Sequence, residues 1–148
     1  MNKTRAGRRG NLVRALSDFQ GRWHISRRIE DASAGSTGLF EGVAVFTPDD
    51  LGLTYEEAGE LRLPDQQGVK ATRRYLWRAG EGAIDVLFED GRDFHRIDLA
   101  ANVATAWHDC LPDFYEVSYN FTHWPQWRAI WRVKGPRKDY TMISDYRR

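Results

Sequence analysis

The stretch GRWHISRRIED, residues 21–31, decides the fold. Trp23, Ile25, Arg27 and Ile29 fall on one side of a two-residue repeat; His24, Ser26, Arg28 and Glu30 fall on the other. Successive side chains of a strand point to opposite faces, so this alternation reads as a half-buried β-strand. Upstream the period is helical: Leu12, Val13, Leu16 and Phe19 form one apolar stripe over about two turns. Gly21 marks the change, and no helical pattern returns after it.

Downstream the alternation recurs. Phe40, Gly42, Ala44 and Phe46 share a face, then Leu53, Tyr55, Glu57, Gly59 and Leu61, then Val69, Ala71, Arg73, Tyr75 and Trp77. Turn signals divide them at Pro48-Asp49-Asp50 and Pro64 to Gly68, and Gly80-Glu81-Gly82 leads to Ile84, Val86 and Phe88. Asp90-Gly91 reads as a two-residue type I′ hairpin, which puts Asp93, His95 and Ile97 on the face of Val86. Ala104, Ala106, His108 and Cys110 begin the last four strands. Tyr115, Val117, Tyr119 and Phe121 follow, then Trp127, Ala129, Trp131 and Val133, and finally Tyr140, Met142, Ser144 and Tyr146.

About ten sequential strands without crossover helices exclude a parallel α/β sheet. Closure would remove the exposed edges of such a meander. The expected fold is all-β: an antiparallel up-and-down β-barrel over residues 11–148, with a short N-terminal helix plugging or flanking one end. A β-sandwich is the alternative. Residues 1–10 read as a flexible basic terminus.

A chain of 148 residues fits one domain and buries roughly 70% of its unfolded surface. With 22 basic and 21 acidic residues it has no net field to draw it to nucleic acid or membrane. The single cysteine, Cys110, excludes an internal disulfide. The basic start lacks an apolar stretch after it, so it does not read as a secretory signal, and a cytoplasmic location is expected. Neither cofactor nor oligomeric state is specified.

Two resemblances follow from particular residues. Phe19-Gln20-Gly21-Arg22-Trp23 resembles the opening of lipocalins and related calycin barrels, which implies a Trp23 packed across a closed barrel end with Arg147 or Arg148 stacked on it. A longer set resembles a bacterial and fungal family of unknown function, the one numbered 6314. It comprises Gly21-x-Trp23, Phe40-x-Gly42-x-Ala44-x-Phe46, Tyr55-x-Glu57-x-Gly59 and Arg74-Tyr75-x-Trp77. It continues through Phe88-x-Asp90-Gly91-Arg92-x-Phe94-His95, His108-x-Cys110-x-x-Asp113-x-Tyr115 and Trp131-x-Val133-x-Gly135-Pro136-x-Lys138-Asp139-Tyr140. That resemblance implies a calycin-like fold and no activity.

Polar residues interrupt the inward faces. Glu57 and Arg73 lie mid-strand on adjacent strands, and a buried carboxylate or guanidinium needs a partner, so the two are expected to pair or to hold a ligand's polar group. His95, His108, Cys110, Asp113 and Tyr115 form the chemically richest cluster, with His108 and Cys110 roughly 7 Å apart along one strand. Tyr75, Trp77, Tyr119, Trp131 and Tyr140 add aromatic surface, and buried phenols need hydrogen-bond partners. Lys138, with Lys134 and Arg137, makes a cationic hairpin that can attract an anion.

These features point to binding of a small aromatic or amphipathic, anionic molecule in a polar and aromatic barrel interior. In that reading Arg73 and Lys138 supply charge, and Glu57, His95 and His108 supply orientation. It requires a cavity near Arg73 and His108. Two alternatives stay open. One is a small-substrate enzyme (hydrolase, isomerase or lyase) with His108 or His95 as acid–base and Tyr115 or Glu57 assisting. The other is haem or metal binding by His95, His108 and Cys110.

Overall fold

The computed structural model describes residues 15–148. The basic terminus and the first part of the expected helix, residues 12–14, lie outside them. What is described of that helix is a single 3₁₀ turn, Leu16–Phe19. Ten strands follow: β1 (Gly21–Asp31), β2 (Ser36–Pro48), β3 (Gly52–Arg62), β4 (Val69–Gly80) and β5 (Ala83–Phe88), then β6 (Asp93–Asp98), β7 (Val103–Cys110), β8 (Asp113–Asn120), β9 (Trp127–Lys134) and β10 (Asp139–Arg147).

They form one antiparallel sheet in the order β6-β5-β4-β3-β2-β1-β10-β9-β8-β7. Every neighbour is sequential except β1 and β10, where Ile25 lies opposite Tyr146 and Arg27 opposite Ser144. This pairing curls the sheet into a nearly closed barrel and rules out the sandwich. No ladder joins β6 to β7, so the wall has one seam.

The two-residue period decides the core. Trp23, Ile25, Phe40, Ala44, Phe46 and Val133 are all buried, while their outward neighbours carry most of the charge. At one end Phe19 is fully buried, with its ring within 5.0–5.8 Å of five aromatic rings, those of Phe46, Trp77, Phe121, Trp124 and Trp127. The 3₁₀ turn therefore plugs that end. Trp23 donates its indole N–H to the Phe19 carbonyl at 2.8 Å. The Arg148 guanidinium lies 3.9 Å from the Trp23 ring and donates to the carbonyls of Asp18 and Gln20. Arg147 instead reaches Ser26 on the outside.

One hairpin departs from the expected geometry. At Asp90-Gly91 only Gly91 has positive φ, at 92°, and its N–H bonds to the Phe88 carbonyl. A type I′ turn would need positive φ at Asp90 too, so the connection is a three-residue loop, Glu89-Asp90-Gly91, ending in the left-handed glycine. The register then shifts between Val86 and Leu87, which oppose His95 and Asp93 and leave Phe94 unpaired. This bulge turns Phe94 inward beside His95 and leaves Asp93 exposed, overturning the phase expected for Asp93.

Candidate functional site

The barrel's middle is built around a buried ion pair that the sequence assigned to the wrong arginine. Glu57 lies opposite Arg73 in the β3–β4 register, yet its carboxylate is held by Arg27 of β1. Arg27 Nη1 and Nη2 donate to Glu57 Oε2 and Oε1 at 2.6 and 3.0 Å, and Nε donates to Ser144 Oγ at 2.7 Å. Tyr55 also donates its hydroxyl to Glu57 and lies 2.8 Å from the Tyr146 hydroxyl. Burial works against both charges, but their mutual hydrogen bonds win. Arg27 is held above the usual arginine range and Glu57 below the usual carboxylate range.

The register explains the choice of partner. Arg27 sits opposite Phe40 and Glu57 opposite Ala44, so the line between them crosses β2 at Gly42. That residue has no side chain to obstruct it. The Phe40 ring packs against the paired Gly42 and Gly59, and the Arg27 guanidinium lies 5.0 Å from that ring. Arg27 alternates inward with Trp23 and Ile25, and this was the signal by which the sequence could have shown it. Ser144 and Tyr146 alternate inward in the same way on β10.

Arg73 is consequently left without an ion-pair partner among the described residues. It stands exposed at the rim and lines the cavity beside Glu57 and Tyr75. Against the partial desolvation of its guanidinium and the repulsion of Arg27, the nearby Tyr75 and Glu57 raise its pKa above the usual arginine value.

Phe94 fills the space between the ion pair and the open end. It stacks on Phe88 at 4.3 Å, on Trp131 at 5.1 Å and on Tyr75 at 5.5 Å, and meets His108 edge-on at 5.3 Å. Beneath it remains a cavity of about 30 Å³ lined by Arg27, Glu57, Arg73, His95, Trp127 and their neighbours, among them Trp77, Tyr119 and Trp131. That is room for about one water molecule. The void expected near Arg73 is present but small, and His108 does not line it.

His95 places Nε2 2.8 Å from the Tyr119 hydroxyl, linking β6 to β8 across the seam. Burial, with His108 adding, lowers its pKa to about 3, so the imidazole is neutral. His108 contacts the rings of Phe88, Phe94 and Tyr115 and makes no side-chain hydrogen bond among the described residues.

Cys110 shares the parity of His108 but is exposed at the end of β7, outside the interior where it was expected. Among the described residues no three His, Cys, Asp or Glu side chains are grouped to hold a metal ion, so His95, His108 and Cys110 do not converge. Lys138 pairs with Asp113 at 3.0 Å and reaches the Tyr115 hydroxyl at 3.4 Å, which raises it to about 12. Tyr140 is half-buried among the charges of Lys138 and Arg73 and the phenols of Tyr115 and Tyr75. Arg73, Tyr75, Tyr115, Lys138 and Tyr140 thus rim one mouth.

Comparison with known proteins agrees with the architecture. The S-type phycobiliprotein lyase CPES from Guillardia theta aligns with a TM-score of 0.52 and 11% identity, over 90% of this chain and 89% of that one. A redesigned β-barrel, mFAP1, bound to DFHBI, aligns with a TM-score of 0.44 and 13% identity, over 92% and 100%. At 11% identity the likeness to the lyase is one of fold. No curated protein matches the sequence. The sequence model of DUF6314, described as a family of unknown function, matches residues 19–148.

Proposed function

This chain belongs to the DUF6314 family, whose function is unknown, and we propose that it binds a small, flat, anionic aromatic molecule at the mouth of its barrel. The observation that carries this reading is the spare charge of Arg73. Arg27, Glu57 and Arg73 line one cavity, and Arg27 has taken the carboxylate, leaving one positive charge uncompensated. A ligand carboxylate, sulfonate or phosphate is its natural counterpart, because charge-assisted hydrogen bonds to guanidinium are strong and directional.

The aromatic half of the ligand has a slot already shaped for it. Phe94 lies nearly parallel to Phe88 and Trp131, at 21° and 16°. It occupies this slot from a bulge on an edge strand, where no second ladder holds the backbone. A ligand ring that replaces Phe94 regains the stacking it displaces, so the exchange is close to balanced. The anion on Arg73 then tips it.

The test uses 8-anilinonaphthalene-1-sulfonate, a fluorescent aromatic anion, and N-phenyl-1-naphthylamine, the same skeleton without charge. Wild type is expected to bind the anion more tightly. Arg73→Gln should weaken the anion roughly tenfold or more, about the worth of one charged hydrogen bond, and leave the neutral probe unchanged. Phe94→Ala should tighten both. Unchanged affinity of Arg73→Gln for the sulfonate overturns the reading.

A further inference from the structure

Two nitrogens on the floor of this site have no partner. His95 Nδ1 and Trp127 Nε1 are buried and make no hydrogen bond among the described residues, and both residues line the same cavity of about 30 Å³. Native proteins rarely leave buried polar atoms unpaired, so such a pair marks a place reserved for something else.

The hydrogen-bond direction at His95 settles what that something must offer. A phenol is the better donor and a neutral imidazole nitrogen the better acceptor, so we assign Tyr119 as the donor to Nε2. The ring proton then sits on Nδ1. An indole nitrogen is always a donor. The residues that line the cavity therefore carry two buried N–H donors without an acceptor among the described residues. A second anion is disfavoured there, because the Glu57 carboxylate lines the same cavity.

We propose that this floor is a subsite for an uncharged oxygen acceptor, a carbonyl above all, which receives hydrogen bonds from His95 Nδ1 and Trp127 Nε1. The inference rests on the mouth reading above and narrows it. The ligand becomes an aromatic acid that carries a carbonyl at the end away from its acid group. The volume fits, since about 30 Å³ exceeds the ~10–15 Å³ that one water-sized group needs. The ring stays above, in the Phe94 slot.

A matched pair of probes separates the two readings: 4-acetylbenzoate and 4-isopropylbenzoate share ring and acid, and differ in a carbonyl oxygen against a methyl. By calorimetry, wild type is expected to bind the acetyl compound at least tenfold more tightly. Trp127→Phe and His95→Phe should each shrink that preference towards one while keeping the isopropyl affinity. Should either variant fail to fold, the ¹H–¹⁵N indole resonance of Trp127 in wild type serves instead, and should move with 4-acetylbenzoate alone. Equal binding of the two probes means that the floor holds only water, and overturns this inference while the mouth reading stands. A preference that survives in both variants, or an indole signal that ignores the carbonyl, overturns it as well. If neither benzoate binds, both readings fall.

Discussion

Arg27 and Glu57 lie on strands that do not touch, yet they share two hydrogen bonds across the intervening β2. The bridge passes over Gly42, and the Phe40 ring lies against the backbone that the paired glycines leave open. One buried ion pair thus ties β1 to β3 over the intervening β2.

Removing one member leaves a charge stranded. Arg27→Met is expected to cost about 3–5 kcal/mol, because Glu57 then stays buried without its bidentate partner. The double variant Arg27→Met/Glu57→Leu should recover most of that loss, since two apolar groups need no pairing. Urea denaturation of the four proteins in the cycle measures both. Additive losses would show that the pair is not coupled.

The glycine gap is expected to be as sensitive as the charges above it. A Cβ on Gly59 would meet the Glu41 carbonyl, and would lie 2.6 Å from Gly42 Cα and 2.7 Å from Phe40 Cζ. Backbone on two sides cannot yield, so Gly59→Ala should cost about 1–3 kcal/mol by overpacking. Gly35→Ala, where nothing lies within 4 Å, tests the opposite case. Its loss comes from its φ of 62° alone and should be smaller. Equal midpoints for the two variants would contradict the packing argument.

His95 makes stability depend on pH well above the carboxylate range. Burial holds its pKa at about 3 against an ordinary 6.5, so between those values the unfolded chain binds a proton that the native protein does not. Stability is therefore full above pH 6.5 and declines as pH falls towards 3, with a slope approaching about 1.4 kcal/mol per unit. Glu57 adds its own decline only below 4.5. Denaturation midpoints at pH 7 and 5 should draw apart in wild type and less so in His95→Gln. The same separation in both would remove His95 as the cause.

Haem is expected not to bind. Phe94, Trp131 and Phe88 fill the space above a cavity of about 30 Å³, and His95 is engaged by Tyr119. A macrocycle would have to clear the whole mouth rather than one ring. Haemin titration should leave the Soret band of free haemin unshifted. A shift that disappears in His108→Ala would reverse this conclusion.

Strand periodicity made most of the barrel legible, because alternation along one strand is a local property of the chain. Inward faces containing Trp23, Phe46, Tyr55, Trp77, Val86, Tyr119 and Trp127 are buried as the two-residue repeat requires. What failed was non-local or backbone-dependent. The partner of Glu57 was sought on the adjoining strand of its hairpin, and a contact that skips a strand leaves no trace in hairpin logic. Phe94 was hidden by the bulge, since a single added residue reverses the phase beyond it. Cys110 had the right parity, but it stands at a strand end, where the interior gives way to solvent.

The seam between β6 and β7 makes the protein a rolled scroll rather than a hoop. Inside, the seam is crossed by side chains alone, with no backbone ladder behind them: Phe94 and Phe88 meet His108 of β7, His95 bonds to Tyr119 of β8, and Phe94 stacks on Trp131 of β9. The circumference can therefore widen by parting these side chains, without breaking a strand pair.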